Sequence, residues 1–243
     1  MGFVRRAVPP VLLSCLLLSG CSSASQPGSA TSGKDGTPAA GPSGTVASPG
    51  AAGIPVGAGP QKTYAVQRQP AAGSCRYRYE KGEPLEDTSC TPGAISPAVT
   101  QATLASTICR KGGYTKGIRP PESVTGPEKR ANAASYGYTG RLGDAEYDHL
   151  ISLELGGDPN DARNLWVEPP DPGHKTGSGA NNLKDPVESK LHTAVCSGKT
   201  TLKAAQQAIV TDWTTALSRL GLAPADPGAR IAVFYAARLP AGQ

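Results

Sequence analysis

The stretch EYDHLISLELGGDPNDARNLW, residues 146–166, decides the fold of this chain. It places an aspartate directly before a histidine and follows the pair with an apolar run, two glycines and a lone asparagine. The apolar run Tyr147–Leu155 predicts a strand, the glycine pair a tight turn, and Asn164–Val167 a second short strand. We therefore expect two strands that meet through a glycine turn and an irregular loop.

A helix is predicted next along the chain, over Pro186–Cys196. Its start DPVE, residues 185–188, has an N-cap residue, a first-turn proline and an acid three residues on. The order strand, strand, helix brings the chemically active side chains towards one place. On a regular strand Asp148 and His149 would point to opposite faces, so both reach one site only if the strand is irregular or ends there.

An aspartate beside a histidine in this setting predicts a hydrolase with a single metal ion. A carboxylate such as Asp148 binds the ion, a neutral imidazole removes a proton from water, and the ion neutralises charge on a phosphate. A histidine base also needs its second ring nitrogen held by an amide or a carbonyl. Asn164 is the candidate for holding His149.

The motif DHLISLELGG…NLW resembles the Asp-His, Gly-Gly and Asn-Leu elements of the HNH family of ββα-metal (His-Me finger) nucleases. The stretches CTPGAISPAVTQATLASTIC, GYTKGIRPP and NNLKDPVESKLHTAVCSGKTTLKAAQQAIVTDW are similar to exported actinobacterial proteins of lipoprotein type with such a domain. Together they cover most of residues 88–215. The resemblance implies an α+β fold, with a small ββα-metal unit embedded in a mainly helical domain.

The same resemblance assigns roles to individual residues. It makes Asp148 a metal ligand, His149 the general base and Asn164 the residue that orients the base. The histidine that usually completes the metal site at the helix start is not evident. Asn182 is the first candidate for that ligand and Glu188 the second.

Other residues near the motif have simpler explanations. His174 lies in the loop DPGHKTGSG, Asp185 is best explained as the helix cap, and His192 lies on the helix face of Glu188 as a structural residue. Two arginines flank the motif and are candidates for contact with phosphate, Arg141 and Arg163. The ion would be Mg²⁺, with Mn²⁺, Ca²⁺ and Zn²⁺ as alternatives.

The function implied is metal-dependent hydrolysis of phosphodiester bonds in DNA or RNA by a monomer. The formal net charge of +5 is compatible with a polyanionic substrate but does not select one. A different class is a non-catalytic secreted binding module that keeps the fold. A third class, a cell-wall hydrolase, is suggested only by the expected location.

The N-terminus, MGFVRRAVPPVLLSCLLLSGC, is typical of a targeting segment. Two arginines precede an apolar core that is too short to span a membrane. It resembles a bacterial lipoprotein signal, residues 1–21, in which Cys21 is lipidated; an ordinary secretory signal is the alternative. The protein is then anchored on the extracytoplasmic side of the membrane or released. Residues 22–60 form a Ser/Gly/Ala/Pro tether that we expect to be disordered, and 61–243 form the domain.

Four further cysteines predict two disulfides in an exported domain. Three pairings are possible. We favour Cys75–Cys90, which closes a short hairpin-like loop, and Cys109–Cys196, which ties an early helix to a late one. A zinc site is the alternative, although the chain has no Cys-x-x-Cys pair.

The remaining pattern predicts an N-terminal β-hairpin and three more helices. TYAVQRQ and SCRYRYE alternate as strands do, and KGEP indicates a turn. Helices are expected over Ser96–Cys109, over GPEKRANAASYGY with Pro127 near its start, and over Leu202–Leu220. The last of these carries one apolar stripe, which predicts core packing.

Overall fold

The computed structural model describes residues 53–180 and 182–223. The signal segment, Cys21 and most of the tether lie outside the described residues, as do residues 224–243. Among the residues that the structure describes, none of the helices combines the length and the apolar character needed to cross a bilayer.

The last residues assigned to the tether belong to the domain instead. Val56 forms a parallel bridge with Ile95, and the Gly59 N–H donates to the Asp158 carboxylate over 2.6 Å. Val56 and Gly59, near the predicted end of the tether, therefore make contacts with the domain. Both contacts join positions far apart in the chain, so local composition could not reveal them.

Within the described residues the regular structure is α+β, as predicted, with two antiparallel strand pairs and four α-helices. In chain order these are β1 Arg78–Glu80, β2 Glu83–Leu85, α1 Glu122–Tyr136, β3 Glu146–His149, β4 Leu165–Glu168, α2 Lys184–Cys196, α3 Leu202–Thr211 and α4 Ala216–Arg219. Strand β1 pairs with β2, and β3 with β4.

The hairpin β1–β2 confirms the predicted turn. Lys81 and Gly82 lie between the strands and both have positive φ, 54° and 93°, which suits a tight hairpin turn. The other predicted strand, TYAVQRQ, was wrong, since residues 63–69 form no strand. The Gln67 N–H in this segment donates instead to the Glu128 carboxylate of α1.

The β3–β4 pair confirms the central hairpin but shortens its first strand. In the register His149 lies opposite Leu165 and Asp148 opposite Trp166. The strand was predicted to reach Leu155, yet it ends at His149, and Leu153–Leu155 form a 3-10 turn. A short buried apolar run does not distinguish a strand from a buried helical turn, which explains the error.

An aromatic cluster fastens β4 to helix α1. Trp166 is buried against Tyr136 of α1 and Tyr77, with the two tyrosine rings stacked 4.7 Å apart. The Asn132 amide oxygen on the same helix accepts from the Val167 N–H over 2.7 Å. The hairpin is thus held on its α1 side, independently of α2.

Two predicted helices start or form differently. Helix α1 begins at Glu122, so Pro127 lies inside it instead of near its start. The helix expected over Ser96–Cys109 is wrong, because this segment forms turns and one 3-10 turn at Leu104–Ser106. Its threonines explain the difference: Thr103 and Thr107 hydroxyls bond nearby backbone carbonyls and so compete with helical bonding.

The helix predicted over Leu202–Leu220 is interrupted at Asp212. This residue has φ −175° and ψ 104°, and its carboxylate accepts from the Thr214 N–H, which starts a new turn. The apolar stripe is nevertheless core, as predicted. Its buried members are Leu202, Ala205, Ile209, Trp213 and Ala216.

The favoured disulfide pairing is confirmed. The sulfurs are 2.04 Å apart in Cys75–Cys90 and 1.93 Å apart in Cys109–Cys196. The second bond joins the loop after the 3-10 turn to the last residue of α2. It therefore anchors the helix that borders the predicted site.

Candidate functional site

His149 ends strand β3 and is nearly enclosed, with 8% of its surface exposed. Its Nε2 lies 3.0 Å from the Pro159 carbonyl oxygen. Because a carbonyl only accepts, Nε2 carries the proton of the neutral ring and Nδ1 keeps a free lone pair. Burial lowers the pKa of His149 below its usual value, which favours that neutral form.

Asn164 has a different role from the one predicted, because Pro159 and not Asn164 contacts the imidazole. The Asn164 side chain is fully buried. All of its hydrogen bonds go to backbone atoms, those of Ala94, Ile151 and Asp158. Asn164 closes the loop that contains Pro159, so it positions His149 only through that loop.

The two glycines after the apolar run are needed for different reasons. Gly156 has φ 76°, a conformation that favours glycine. Gly157 lies so close to the Ile151 carbonyl that a Cβ there would be 1.7 Å from its oxygen. The pair lets the chain fold back on itself and bring the Asn164 amide against Ile151.

Lys184, the first residue of α2, lies between the two predicted metal-binding carboxylates. Only 1% of it is exposed. Its ammonium donates to Asp148 Oδ2 over 2.6 Å, to the His149 carbonyl over 2.9 Å and to Glu188 Oε1. All three of its N–H groups are thereby used.

The charge of Lys184 is secured by its neighbours. Burial alone would lower the pKa of Lys184, but the charges of Asp148, Glu188 and Glu168 together hold it well above its usual value. Sequence analysis missed this residue. The available signal was the spacing of Lys184 and Glu188, which are four residues apart, with Lys184 two residues before the predicted start of the helix.

Further acids surround this ion pair. Glu168 is 1% exposed, and neither of its carboxyl oxygens has a hydrogen-bond partner among the described residues. Burial and the charge of Asp148 raise the pKa of Glu168 well above its usual range. Burial also raises the pKa of Glu146 to about 7. Burial raises the pKa of Glu188 too, but the charge and hydrogen bond of Lys184 act against that rise.

Asn182 caps the helix instead of pointing an oxygen at an ion. Its Oδ1 accepts from the Asp185 N–H over 3.0 Å, and its Nδ2 donates to Glu146 Oε2 over 2.8 Å. The prediction that Asp185 is the cap was therefore wrong. The first N–H groups of a helix need acceptors from outside it, and Asn182 supplies one.

The predicted ligand set does not fit a divalent ion. The Lys184 ammonium occupies the space between Asp148 and Glu188, and the Asn182 oxygen is committed to the α2 backbone. An ion bound to the same two carboxylate oxygens would lie against a positive charge. The three residues come together in space, but they do not converge on one vacant point.

The two predicted arginines lie in other surroundings. Arg163 bonds the Asp161 carboxylate twice, over 2.9 and 2.5 Å, and the Val56 carbonyl. Arg141 is exposed and lines a separate cleft, in which Asp144 is its nearest acid. A second cleft lies beside α2 and is bordered by Glu154, Glu188 and Ser189. Neither arginine side chain lines it.

Arg119 is the arginine that lines this cleft, and sequence analysis missed it. The cleft has a volume of about 300 Å³ and includes Glu188 and Asp185 in its wall. Arg119 is exposed, and its charge helps to lower the pKa of His149. An arginine exposed in a cleft has the planar, permanently charged donor group that suits a phosphate.

The other two histidines lie outside the site. His174 is 3.6 Å from Asp144, in the cleft with Arg141. His192 bonds the Ile108 carbonyl, as expected of a structural residue, and approaches both sulfurs of Cys109–Cys196. Those three side chains have metal-ligand spacing, but the sulfurs are bonded to each other, which leaves no pair of thiolates for zinc.

Comparison of the chain with models of protein families, with curated proteins and with solved structures gave no match. The geometry of the site and the motif that it contains are therefore the basis for proposing a function.

Proposed function

We propose that this protein is an exported nuclease that hydrolyses phosphodiester bonds of DNA or RNA with His149 as general base. The observation that supports it is the state of that imidazole. It is buried and neutral, its Nε2–H bonds the Pro159 carbonyl, and its Nδ1 has no hydrogen-bond partner among the described residues. The proposal takes β3, β4 and α2 as the ββα unit that the sequence motif resembles.

In this proposal Nδ1 of His149 takes a proton from a water molecule, whose oxygen then attacks phosphorus. The bond from phosphorus to the leaving sugar oxygen breaks, and that oxygen takes a proton from solvent. Negative charge grows on the other phosphate oxygens during the attack. Arg119, exposed at the cleft, is the side chain we assign to contact them.

A divalent ion is part of what the resemblance implies, with Mg²⁺ as the first choice. Asp148, Asn182 and Glu188 do not fit one, so no step of this proposal passes through an ion. The competing proposal is a non-catalytic binding module with the same fold. Lys184 forms ion pairs with Asp148 and Glu188, the two acids predicted to bind the metal ion, and this favours the alternative.

The proposal also concerns location and partners. Two disulfides are typical of proteins that reach an oxidising compartment, which supports export. We propose a monomer that binds nucleic acid and is attached to the membrane only through lipid on Cys21, or is released.

The experiment is cleavage of plasmid DNA and of RNA by the purified exported protein, with EDTA or with each of Mg²⁺, Mn²⁺, Ca²⁺ and Zn²⁺. We expect His149→Ala to cleave about 10²- to 10⁴-fold more slowly, because general-base assistance has that value. Its circular dichroism should match that of wild type.

His192→Ala is the matched control, since His192 lies on the disulfide side of α2 and should retain wild-type cleavage. A His149→Ala protein that cleaves as fast as wild type contradicts the assignment of the base. A wild-type protein that cleaves neither polymer in any of these buffers supports the binding module.

A further inference from the structure

We infer that the Lys184 ammonium is a built-in cation that closes the Asp148–Glu188 site to divalent ions, so that the cleavage proposed above needs no added metal. The statement about ion binding stands on the geometry alone. The statement about cleavage rests on the proposed function.

The geometry is that of a filled cation site. The ammonium has three N–H groups, and they meet three oxygens that come from two elements. Two of these oxygens belong to β3, the Asp148 carboxylate and the His149 carbonyl, and the third belongs to Glu188 one turn along α2. Lys184 thus joins the strand to the helix through charge, as an ion between them would.

A divalent ion cannot share these oxygens with Lys184. The ammonium lies 2.6 Å from Asp148 Oδ2, and Mg²⁺ binds oxygen at about 2.0–2.1 Å, so an ion on that oxygen would lie less than about 5 Å from the ammonium. The two positive charges would repel each other in a region that excludes water. The Lys184 ammonium cannot reach solvent by a small side-chain rotation, because only 1% of the residue is exposed.

If the Lys184 ammonium were removed, the carboxylates that it bonds, Asp148 and Glu188, would form a site for an ion. Asp148 and Glu188 would each regain a free oxygen. Glu168 already has two buried carboxyl oxygens with no hydrogen-bond partner among the described residues. Removing the ammonium therefore exposes three acids that have the oxygen chemistry hard cations prefer.

This arrangement makes Lys184 a positioning residue and not a catalytic one. Its N–H groups are all used within the protein, so none is left for substrate. It offsets the negative charge of Asp148 and Glu188. Arg119 lines the cleft that Glu188 borders and is the side chain assigned above to the phosphate.

The first test is Mn²⁺ binding, measured by calorimetry and by the electron paramagnetic resonance signal of bound Mn²⁺. Wild type is expected to bind Mn²⁺ no better than Asp148→Asn does, because no Mn²⁺ should be bound through Asp148 in wild type. Lys184→Met should gain one site, at least tenfold tighter than any in wild type, and Mn²⁺ should raise its melting temperature. Lys190→Met, an exposed lysine on the same helix, should behave as wild type. The double variant Lys184→Met/Asp148→Asn should lose the new site.

Three results would overturn the inference. One is Mn²⁺ bound to wild type at a site that Asp148→Asn removes. Another is a folded Lys184→Met protein that binds no Mn²⁺. The third is cleavage by wild type that EDTA abolishes, whereas we expect EDTA to change its rate less than twofold. If Lys184→Met does not fold, the comparison of wild type with Asp148→Asn still shows whether wild type binds Mn²⁺ through Asp148. If wild type cleaves nothing, the proposed function fails, while the Mn²⁺ titration still decides whether Lys184 excludes the ion.

Discussion

The chemistry of single residues in this site is set by which of their atoms already have a partner. His149 has two ring nitrogens, and the Pro159 carbonyl takes one of them. Burial keeps the ring neutral, so the other nitrogen is available as a base. Lys184 shows the opposite case, because its partners use every N–H and leave it a purely electrostatic role.

The same criterion separates Arg119 from Arg163. Arg163 is bonded to Asp161, whereas Arg119 lines the cleft beside α2. We expect Arg119→Ala to weaken binding of single-stranded DNA about tenfold, which is about 1.4 kcal/mol. It should also reduce the salt dependence of binding by about one phosphate contact. Fluorescence anisotropy in a His149→Ala background measures both without cleavage.

Arg163→Ala is the control for that measurement and should bind DNA as the background protein does. If Arg119→Ala and Arg163→Ala weaken DNA binding equally, the position of Arg119 in the cleft does not make it the phosphate contact. The assignment of Arg119 would then have to be abandoned.

At the scale of elements, the loop between β3 and β4 does more than connect them. It turns back at Gly156-Gly157, and the Asn164 side chain closes it through backbone contacts. Pro159 lies in this loop and holds the imidazole. The position of the His149 imidazole therefore depends on a backbone arrangement that tolerates no side chain at Gly157.

Gly157→Ala tests this dependence. A Cβ at residue 157 would lie 1.7 Å from the Ile151 oxygen and 2.8 Å from the Asn164 amide nitrogen, so the loop must shift. We expect the free energy of unfolding, measured in urea, to fall by about 3 kcal/mol or more, beyond the usual cost of overpacking. Cleavage should fall with it, because Pro159 would move.

Gly143→Ala is the matched control. Gly143 is exposed, and nothing lies within 4 Å of a Cβ built there. Its unfolding free energy should stay within about 0.5 kcal/mol of wild type. If both alanine variants unfold at the same urea concentration, the close approach at Gly157 does not constrain the loop.

Sequence patterns predicted elements well where local chemistry determines them. The start of helix α2 was predicted within two residues, because the proline and acid of its first turn are local signals, although Asn182 and not Asp185 provides the cap. The apolar run after His149 was predicted as strand, but the Asn164 amide bonds Ile151 and redirects the chain. The segment Ser96–Cys109 had helical spacing, but its threonine hydroxyls competed for the backbone.

In the candidate site, too, only the features that depend on neighbouring residues in the chain could be predicted. Asp148 and His149 could be named from the motif because they are adjacent in the chain. The partners that decide their chemistry, Pro159 and Lys184, come from the loop and from α2. No local pattern predicts that a lysine will be buried between two acids, since that depends on how β3 and α2 pack.

At the scale of the whole molecule, two disulfides supplement a modest core. The closed segments span 15 and 87 residues. Loop entropy assigns about 3 kcal/mol to the shorter and more than 4 kcal/mol to the longer. The longer bond holds the end of α2, and Lys184 holds its beginning, so the helix beside His149 is attached at both ends.

The domain also buries acids whose protonation should govern stability against pH. Glu86 is 1% exposed, and burial raises its pKa from 4.5 to about 7, although Arg78 lies 2.9 Å away. Between these two pH values the folded state keeps a proton that the unfolded chain has released. Stability from this group is therefore present at low pH and is lost as pH rises from 4.5 through 7. His149 acts in the opposite direction, because its lowered pKa costs stability as pH falls below 6.5.

Glu86→Gln separates the two effects, since it removes the Glu86 titration and leaves His149 unchanged. We expect urea unfolding to show that the stability of wild type relative to Glu86→Gln falls by on the order of 2–3 kcal/mol between pH 5 and pH 8, at about 1.4 kcal/mol per unit of pKa. Glu80→Gln, in the exposed strand β1, should show no such pH-dependent difference from wild type. A constant difference between wild type and Glu86→Gln across this range would mean that Glu86 is ionised in the folded protein and that the Arg78 ion pair outweighs burial.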